Sequence, residues 1–184
     1  MIVGKKTHDE ITEVIYPFRG IKEIEGFEKL RKLQYINLSF NNLSKLTGLD
    51  KCSELQVLDA SYNQLTLIEG LHTLNKLTTV YLHNNKIVKI DDVYAFKFNA
   101  NLKEFSIRGN PFSFNKSYKS QVLQLLPGVT VLDGQEVSTK DKQNTIEQSA
   151  LLSDELILEA SKLQAQPHNV NLLKNVGCNF TFLI

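Results

Sequence analysis

The side chains that most often do chemistry are few in this chain of 184 residues, and they stand far apart. The histidines and cysteines are His8, His72, His83, His168, Cys52 and Cys178. None of them forms a C-x-x-C or H-E-x-x-H motif, and the chain has neither a G-x-S-x-G elbow nor a Walker A loop. We therefore expect a protein that is not an enzyme, with no catalytic residue, no cofactor and no metal.

Two of these residues fall in patterns that suggest a role. His83 is expected at an outward strand position, where it either contacts a partner or is simply solvated. Cys52 continues a row of apolar residues, where a thiol usually behaves as a small buried hydrophobe. Two distant cysteines do not form a disulfide framework, so we expect reduced thiols in a cytosolic or nuclear protein.

The elements that position side chains are set by an internal repeat. Four segments match the pattern L-x-x-L-x-L-x-x-N-x-L, and they begin at Leu33, Leu55, Leu77 and Leu102. Their asparagines are separated by 22, 22 and 25 residues and are Asn41, Asn63, Asn85 and Asn110. A degenerate first copy begins near Ile11, and a truncated last copy ends at Leu132.

The repeat predicts local structure. Its alternating apolar residues predict a short strand whose apolar side chains point inward. Apolar residues then follow at every third position, as at Leu43, Leu46 and Leu49, which predicts a short α- or 3₁₀-helical segment. The asparagines are expected to bond backbone groups where the chain leaves each strand, so that stacked repeats form an Asn ladder. One repeat cannot bury its apolar side alone, whereas a stack makes a continuous core.

Repeat positions 3, 5, 7 and 8 are expected to project from the strands, and we call the surface that they form the concave face. Its candidate protein-binding residues are Tyr35, Asn37, Phe40, Val57, Asp59, Tyr62, Thr79, Tyr81, His83, Glu104 and Arg108. Position 8 places three aromatic residues in register, Phe18, Phe40 and Tyr62. Aromatic residues with few charges are typical of interface hot spots. The alternative is that these rings pack along the stack as part of the fold.

The charge balance excludes some partner classes. Lysine and arginine total 21 and aspartate and glutamate total 20, which argues against a strongly electrostatic binder of nucleic acid or membranes. Basic residues are also scarce on the concave face, so direct contact with nucleic acid is not expected. No apolar run is long enough for a signal peptide or a membrane-spanning helix.

The residues after the last repeat asparagine complete a recognisable pattern. They include Gly109-Asn110-Pro111-Phe112, Leu126-Pro127 and Val131-Leu132-Asp133-Gly134. With the repeats, this resembles the 22-residue leucine-rich repeat proteins typified by the nuclear regulatory subunit of protein phosphatase 1. The end is similar to the C-terminal cap of the axonemal dynein leucine-rich light chain, of other ciliary leucine-rich repeat proteins and of the A-prime protein of the spliceosomal U2 particle.

The resemblance implies an α/β fold: a short right-handed solenoid of about five repeats, with a parallel concave sheet and a C-terminal helical cap. The repeats are expected near residues 11–32, 33–54, 55–76, 77–101 and 102–134. A helix within residues 116–126 is expected to cover the open end of the stack. The cap residues are Tyr118, Val122, Leu126, Leu132 and Asp133.

Residues beyond the cap are expected to form a tail. We divide the chain into a solenoid with its cap (1–134), a helical extension (135–166) and an apolar C-terminal tail (167–184). Ser138 and Asp141 form a capping-box variant that predicts a helix start. The candidate tail-docking residues, expected to fold back on the repeats or to dock into a partner, are Phe180, Phe182, Leu183 and Ile184.

The first functional hypothesis is a non-catalytic scaffold that binds protein through the concave face. Resemblance to ciliary proteins implies an axonemal or microtubule-associated setting in the cytoplasm, with a dynein heavy chain, tubulin or another axonemal subunit as partner. The alternatives are a nuclear, spliceosomal A-prime-like subunit that binds an RNA-recognition-motif protein, and a regulator of phosphatase 1. We expect no membrane partner, and a monomer within a larger complex.

Overall fold

The strands of the repeat are short and stack in chain order. A computed structural model describes residues 10–164. Its strands are β1 (Glu13–Ile15), β2 (Tyr35–Asn37), β3 (Val57–Asp59), β4 (Thr79–Tyr81), β5 (Glu104–Ser106), β6 (Val131–Leu132) and β7 (Gln135–Glu136). They form one sheet in the order β1 to β7, in which β1 to β6 are parallel and β7 runs antiparallel to β6. The α/β leucine-rich-repeat fold predicted from the sequence is confirmed.

The sequence repeat sets the register of the sheet. Paired residues lie 22 positions apart from β1 to β4, as in Glu13 with Tyr35, and 25 positions apart between β4 and β5. The central residue of each three-residue strand, β1 to β5, is buried, and the apolar residues of successive repeats form one core. Three residues per strand are enough because each layer contributes only one inward-facing strand residue to the core.

The asparagines of the repeat connect neighbouring layers by hydrogen bonds, and we call Asn41, Asn63, Asn85 and Asn110 the Asn ladder. Asn63, for example, accepts a hydrogen bond from the backbone N–H of Leu43 at 2.9 Å. Its Nδ2 donates to the carbonyl of Leu38 at 2.9 Å, in the preceding repeat, and to those of Ala60 and Ser61 in its own. A buried amide can thus satisfy backbone groups of two layers at once.

The return segments opposite the sheet differ from the prediction. Helical structure was expected in all of them, but residues 43–52 and 65–74 form turns without a helix, so the prediction was wrong there. Gly48 and Gly70 lie in these segments at φ of 89° and 75°, a conformation that interrupts a helix. In the next repeat Asp92 stands at the equivalent position, and a 3₁₀-helix covers Ile90–Phe98. That repeat also contains the three extra residues.

A helix and a hairpin cover the C-terminal end of the stack. Helix α1 (Tyr118–Leu125) buries Val122 and Leu123, contacts the 3₁₀-helix at Ile90–Phe98 and follows a shorter 3₁₀-helix at Pro111–Phe114. A further 3₁₀-helix, Phe27–Lys29, lies in the first repeat. β6 and β7 are joined by Asp133 and Gly134 at φ of 54° and 77°, as a two-residue type I′ turn requires.

Helix α2 (Thr139–Gln164) is the last described element. The Ser138 backbone N–H donates to Asp141 Oδ2 at 3.0 Å, and the Asp141 N–H donates to Ser138 Oγ at 3.1 Å, so the predicted capping box is present. The Ser138 hydroxyl also donates to Asp141 Oδ2 at 2.6 Å, and this bond together with that from the Ser138 backbone N–H lowers the pKa of the Asp141 carboxyl. The chain divides into two compact units, with the boundary in the sequence between Thr145 and Ile146. The proposed tail, residues 167–184, lies outside the described residues.

No helix in the part of the chain from residue 10 to 164 is long and apolar enough to cross a membrane.

Candidate functional site

The strands give the concave face its regular surface. In β2, β3 and β4 the middle residue is buried and the two flanking residues are half-buried, so the flanking side chains share one face of the sheet. This places six of the predicted residues together: Tyr35, Asn37, Val57, Asp59, Thr79 and Tyr81. Glu104 continues the same row in β5 and is half-buried. The sheet therefore presents two half-buried side chains per repeat in β2, β3 and β4.

The residues at position 8 form a stack of rings that we call the aromatic ladder: Phe18, Phe40 and Tyr62. The ring centroids of Phe18 and Phe40 are 4.4 Å apart, with 20° between their planes. Those of Phe40 and Tyr62 are 4.1 Å apart, with 9° between their planes. The three side chains remain 72%, 41% and 43% exposed, respectively. The rings therefore contact one another and also offer an apolar edge to solvent.

The backbone at position 8 is unusual. Phe18, Phe40, Tyr62 and Asn84 all have φ between 53° and 57°, in the left-handed region. Asparagine and glycine adopt this conformation readily, whereas an aromatic residue is strained in it by about 1 kcal/mol or more. The next repeat has Gly109 at this position, at φ of 70°. Three aromatic residues thus stand where the fold itself favours asparagine or glycine.

His83 closes the ladder at its C-terminal end. Its ring meets that of Tyr62 edge-on, with centroids 5.4 Å apart and 85° between the planes, and it also lies edge-on to Tyr81. Its Nδ1 is 3.4 Å from Ser106 Oγ. Burial lowers the pKa of His83, although the carboxylates of Asp59 and Asp133 oppose that shift. His83 is half-buried among rings, and its role in partner contact stays a prediction.

Acidic side chains gather beside His83, and we call Asp59, Glu104 and Asp133 the carboxylate cluster. Burial, a hydrogen bond to Glu104 and the negative charges of Glu104 and Asp59 together raise the pKa of Tyr81 to about 12. A depression of about 440 Å³ opens here, lined by Glu104, Asp133 and Arg108 among others. Arg108 is the exposed base of this region. The C-terminal half of the concave face is thus polar, whereas the position-8 edge is aromatic.

Position 7 does not project as expected in two repeats. Ser39 and Ser61 are buried, because each hydroxyl donates to the side chain two residues earlier: Ser39 Oγ to Asn37 at 2.7 Å and Ser61 Oγ to Asp59 at 2.6 Å. The backbone N–H of each serine donates to the same oxygen. An Asn or Asp commonly forms such an Asx turn by accepting a hydrogen bond from the backbone two residues later. They orient Asn37 and Asp59 on the concave face.

The structure adds two residues to the predicted concave site. Phe18 was placed in the position-8 column but not among the binding residues, and it is the most exposed ring of the ladder. Asp133 was assigned to the cap, yet it also lines the depression beside Arg108. Its Oδ1 accepts hydrogen bonds from the backbone N–H groups of Ile107 and Arg108, and Tyr118 donates to its Oδ2 at 3.3 Å. The 22-residue spacing of the repeat already indicated Phe18, and the Asp133-Gly134 turn sequence could have indicated Asp133.

The remaining predicted residues lie as follows. The cap residues Val122, Leu126 and Leu132 are buried, and Tyr118 is half-buried with its ring edge-on to Phe112. The predicted tail-docking residues, Phe180, Phe182, Leu183 and Ile184, lie outside the described residues. Between residues 10 and 164, no group of three or more His, Cys, Asp or Glu side chains is arranged to hold a metal ion.

Cys52 lies where the sequence pattern placed it. Its thiol is buried and donates to the carbonyl of Phe27 at 3.3 Å. Burial raises its pKa to about 11, and the charges of Asp50 and Glu28 add to that shift. A thiol with such a pKa is almost entirely protonated near neutral pH, so Cys52 is a poor nucleophile and a structural residue.

Comparison with known proteins gives one family and several structural relatives. A sequence model of the family described as leucine-rich repeat matches residues 16–153. A chain in the crystal structure of the Drosophila melanogaster SNF/U2A′ complex is similar to this one, with 26% identity, a TM-score of 0.69, and coverage of 78% of this chain and 87% of that chain. No curated protein shows significant sequence similarity.

Two bacterial structures share the fold over shorter stretches. Internalin C2 of Listeria monocytogenes is 26% identical, with a TM-score of 0.52, and the match covers 61% of this chain and 46% of the internalin. A leucine-rich repeat protein of Leptospira interrogans is 25% identical, with a TM-score of 0.50 and coverage of 56% and 26%. The match to the Drosophila chain therefore spans nearly the whole of its relative, whereas the bacterial matches span parts of longer chains.

Proposed function

Because the chain belongs to the leucine-rich repeat family, we propose that it is a non-catalytic scaffold that binds a protein partner through its concave face. The observation that supports this most is the aromatic ladder, whose rings are exposed although their backbone is strained. A fold that needed only stability would be better served by asparagine or glycine there. Exposed aromatic residues on a rigid sheet are the usual anchors of a protein interface.

The test replaces the rings without disturbing the backbone. Asn84 occupies position 8 at φ of 57°, so the double variant Phe40→Asn with Tyr62→Asn is expected to fold normally. In an affinity pull-down from native lysate, read by mass spectrometry, we expect this variant to lose the partners that the unchanged chain recovers. The matched control is Tyr94→Ala with Phe98→Ala, which removes two exposed rings from the 3₁₀-helix at Ile90–Phe98.

The outcomes separate the site from the function. Equal capture by the folded asparagine variant would place the interface elsewhere and contradict the concave site. If the unchanged chain recovers no specific partner, the scaffold proposal itself is wrong. Circular dichroism of each variant verifies folding, because loss of capture by an unfolded chain would not identify a binding surface.

For the biological setting we propose two candidates, and different observations support each. The match to a chain of the SNF/U2A′ complex supports a U2A′-like subunit, whose partner would be an RNA-recognition-motif protein and whose location would be the nucleus. The axonemal or microtubule setting, with a dynein heavy chain or tubulin as partner and a ciliary location, rests on the sequence resemblance alone. The third candidate is a phosphatase-1 regulator. It has less support, because this chain has only about five repeats and regulators of that family are expected to have many more.

The same pull-down distinguishes these settings. Splicing proteins with small nuclear RNA would support the U2A′-like subunit, and dynein or tubulin would support the axonemal one. A phosphatase catalytic subunit would support the third. A variant truncated after Gln166 tests the proposed tail contact, since loss of the partner on truncation would place part of the interface beyond the described residues.

A further inference from the structure

We infer that the partner segment received by the concave face is a basic amphipathic helix, with its apolar side on the aromatic ladder and its cations on the carboxylate cluster. This inference rests on the proposed function, because it specifies the chemistry of the partner that the scaffold would bind.

The concave face carries more negative charge than the chain as a whole. The full chain has 21 basic and 20 acidic residues. On the concave face, Glu13 joins the three carboxylates of the cluster, and Arg108 is the base among the residues that line the depression. The ion pairs between described residues are Lys51–Asp50, Lys76–Glu54 and Lys89–Asp91, so none of them neutralises the cluster. A cationic partner is the electrostatic complement of this face.

The carboxylates are held in place before any partner arrives. Asp59 Oδ1 accepts hydrogen bonds from the backbone and the hydroxyl of Ser61. Asp133 Oδ1 accepts bonds from two backbone N–H groups and from the Ser106 hydroxyl, and its Oδ2 accepts one from Tyr118. A carboxylate has about four acceptor sites, so Asp59 and Glu104 can still accept from an arginine or lysine, whereas Asp133 contributes its charge. Binding then costs little side-chain ordering on this side of the interface.

The geometry of a sheet face favours a helix over an extended strand as occupant. The backbone groups of β2 to β5 are already bonded within the sheet, so an added strand has no partners on the concave face. A helix satisfies its own backbone bonds and can lie on a sheet through side chains alone. Four strand steps from β1 to β5 span about 19 Å, which a helix covers in about 13 residues. One helix of three to four turns thus reaches from the aromatic ladder to the carboxylate cluster.

The two ends of the face offer different contacts to such a helix. Phe18, Phe40 and Tyr62 lie at the end nearer β1, where a leucine or phenylalanine side chain would bury apolar area. Glu104 and Asp133 lie at the end nearer β6, where an arginine can bond both carboxylate oxygens of Glu104 at once. RNA is disfavoured as the occupant, since phosphates would meet carboxylates beside the same rings.

The test uses two synthetic peptides as probes for the full chain. Both are amphipathic helices of about 14 residues with one leucine and phenylalanine stripe; one carries arginine at its flanking positions and the other carries glutamate there. In fluorescence polarisation at low salt we expect the arginine peptide to bind about tenfold or more tightly than the glutamate peptide. The difference should shrink as salt is raised to roughly 0.5 M.

Variants locate the charges responsible. Asp59→Asn with Glu104→Gln removes two charges and keeps the hydrogen-bond acceptors that orient the loops, and we expect it to remove most of the preference for arginine. Glu69→Gln with Asp91→Asn changes net charge equally on exposed positions outside the concave face. That control is expected to keep the preference.

Three outcomes would overturn the inference: equal affinity for the two peptides, no binding of either up to about 1 mM, or displacement of the arginine peptide by an oligouridine probe. None of these would by itself contradict the scaffold proposal, which fails if the unchanged chain captures no specific partner, or the concave site, which fails if the folded Phe40→Asn and Tyr62→Asn variant still captures its partner. The two proposals can therefore fail separately.

Discussion

At the residue scale, the asparagine at repeat position 9 connects sequence to fold most directly. Each member of the Asn ladder is buried, and its amide bonds backbone groups in its own and the preceding repeat. Only a side chain with both a donor and an acceptor on one short arm can do this. The recurrence of asparagine every 22 or 25 residues was for that reason a strong predictor of the stack.

Replacing Asn63 by alanine should destabilise the protein markedly. The N–H of Leu43 would lose its partner inside the core, whereas the carbonyl of Leu38 would keep the hydrogen bond from Asn41. A buried group left unpaired costs about 1–3 kcal/mol, so we expect a loss of about 2 kcal/mol in the free energy of unfolding. Urea unfolding measures it, with Gln64→Ala as the control at an exposed neighbour. Similar unfolding midpoints for the two variants would contradict this role.

His83 should make stability depend on pH on the acid side of neutrality. Burial lowers its pKa below the ordinary value of 6.5, so the unfolded chain takes up the proton more readily than the folded one. Stability is therefore unaffected above about pH 6.5 and falls as the pH drops from there through the folded pKa. We expect His83→Gln to lose less thermal stability than the unchanged chain between about pH 7 and 5.

The control for this titration is His72→Gln, which changes an exposed histidine on a return segment. It should retain the acid-side loss of the unchanged chain. Parallel melting profiles for the His83 variant and the unchanged chain would show that His83 does not contribute.

At the element scale, the cap is the part of the fold that closes the stack. Helix α1 places Val122 and Leu123 against the last repeats, and the β6–β7 hairpin ends the sheet beside them. The helix was predictable from its apolar spacing and from Pro127. The hairpin was not proposed, although the Asp133-Gly134 pair is a strong turn signal, because the last strand was read only as a truncated repeat.

Val122→Ala should show how much the cap stabilises the stack. The side chain is fully buried, so the truncation leaves a cavity next to the core, at a cost of about 2 kcal/mol. The matched control is Gln124→Ala, at an exposed position of the same helix, and it should change the free energy of unfolding by less than about 0.5 kcal/mol. Chemical denaturation compares them; equal stability would mean that α1 packs loosely and does not protect the end of the stack.

The return segments show where element prediction fails. Apolar residues at every third position were present in all three, yet only the segment at Ile90–Phe98 became helical. The helical segment differs from the other two in having Asp92 where Gly48 and Gly70 adopt positive φ, and in being three residues longer. The glycine does not decide the outcome alone, because Gly26 stands at the same repeat position at φ of 80° and is followed by the 3₁₀-helix Phe27–Lys29. Periodicity describes which residues are buried and does not fix the backbone conformation.

At the scale of the whole molecule, repetition explains why the fold was easier to predict than the site. Four copies of one pattern fix strand register, the inward residues and the Asn ladder together, so errors in one repeat are corrected by the others. The concave face depends on residues that the repeat leaves free. Most of its column positions were predictable, but the burial of Ser39 and Ser61, the ring stacking from Phe18 onward and the inclusion of Asp133 required three-dimensional distances.

The strained backbone of the aromatic ladder has an evolutionary consequence. At position 8 the fold tolerates asparagine and glycine, as Asn84 and Gly109 show, while each phenylalanine or tyrosine there costs about 1 kcal/mol. Under the proposed scaffold function, selection would no longer retain the rings in a lineage without the partner, and Phe40 and Tyr62 should drift toward asparagine or glycine sooner than the buried leucines change. Aligned descendants would then record, at these two positions, which lineages still use the surface.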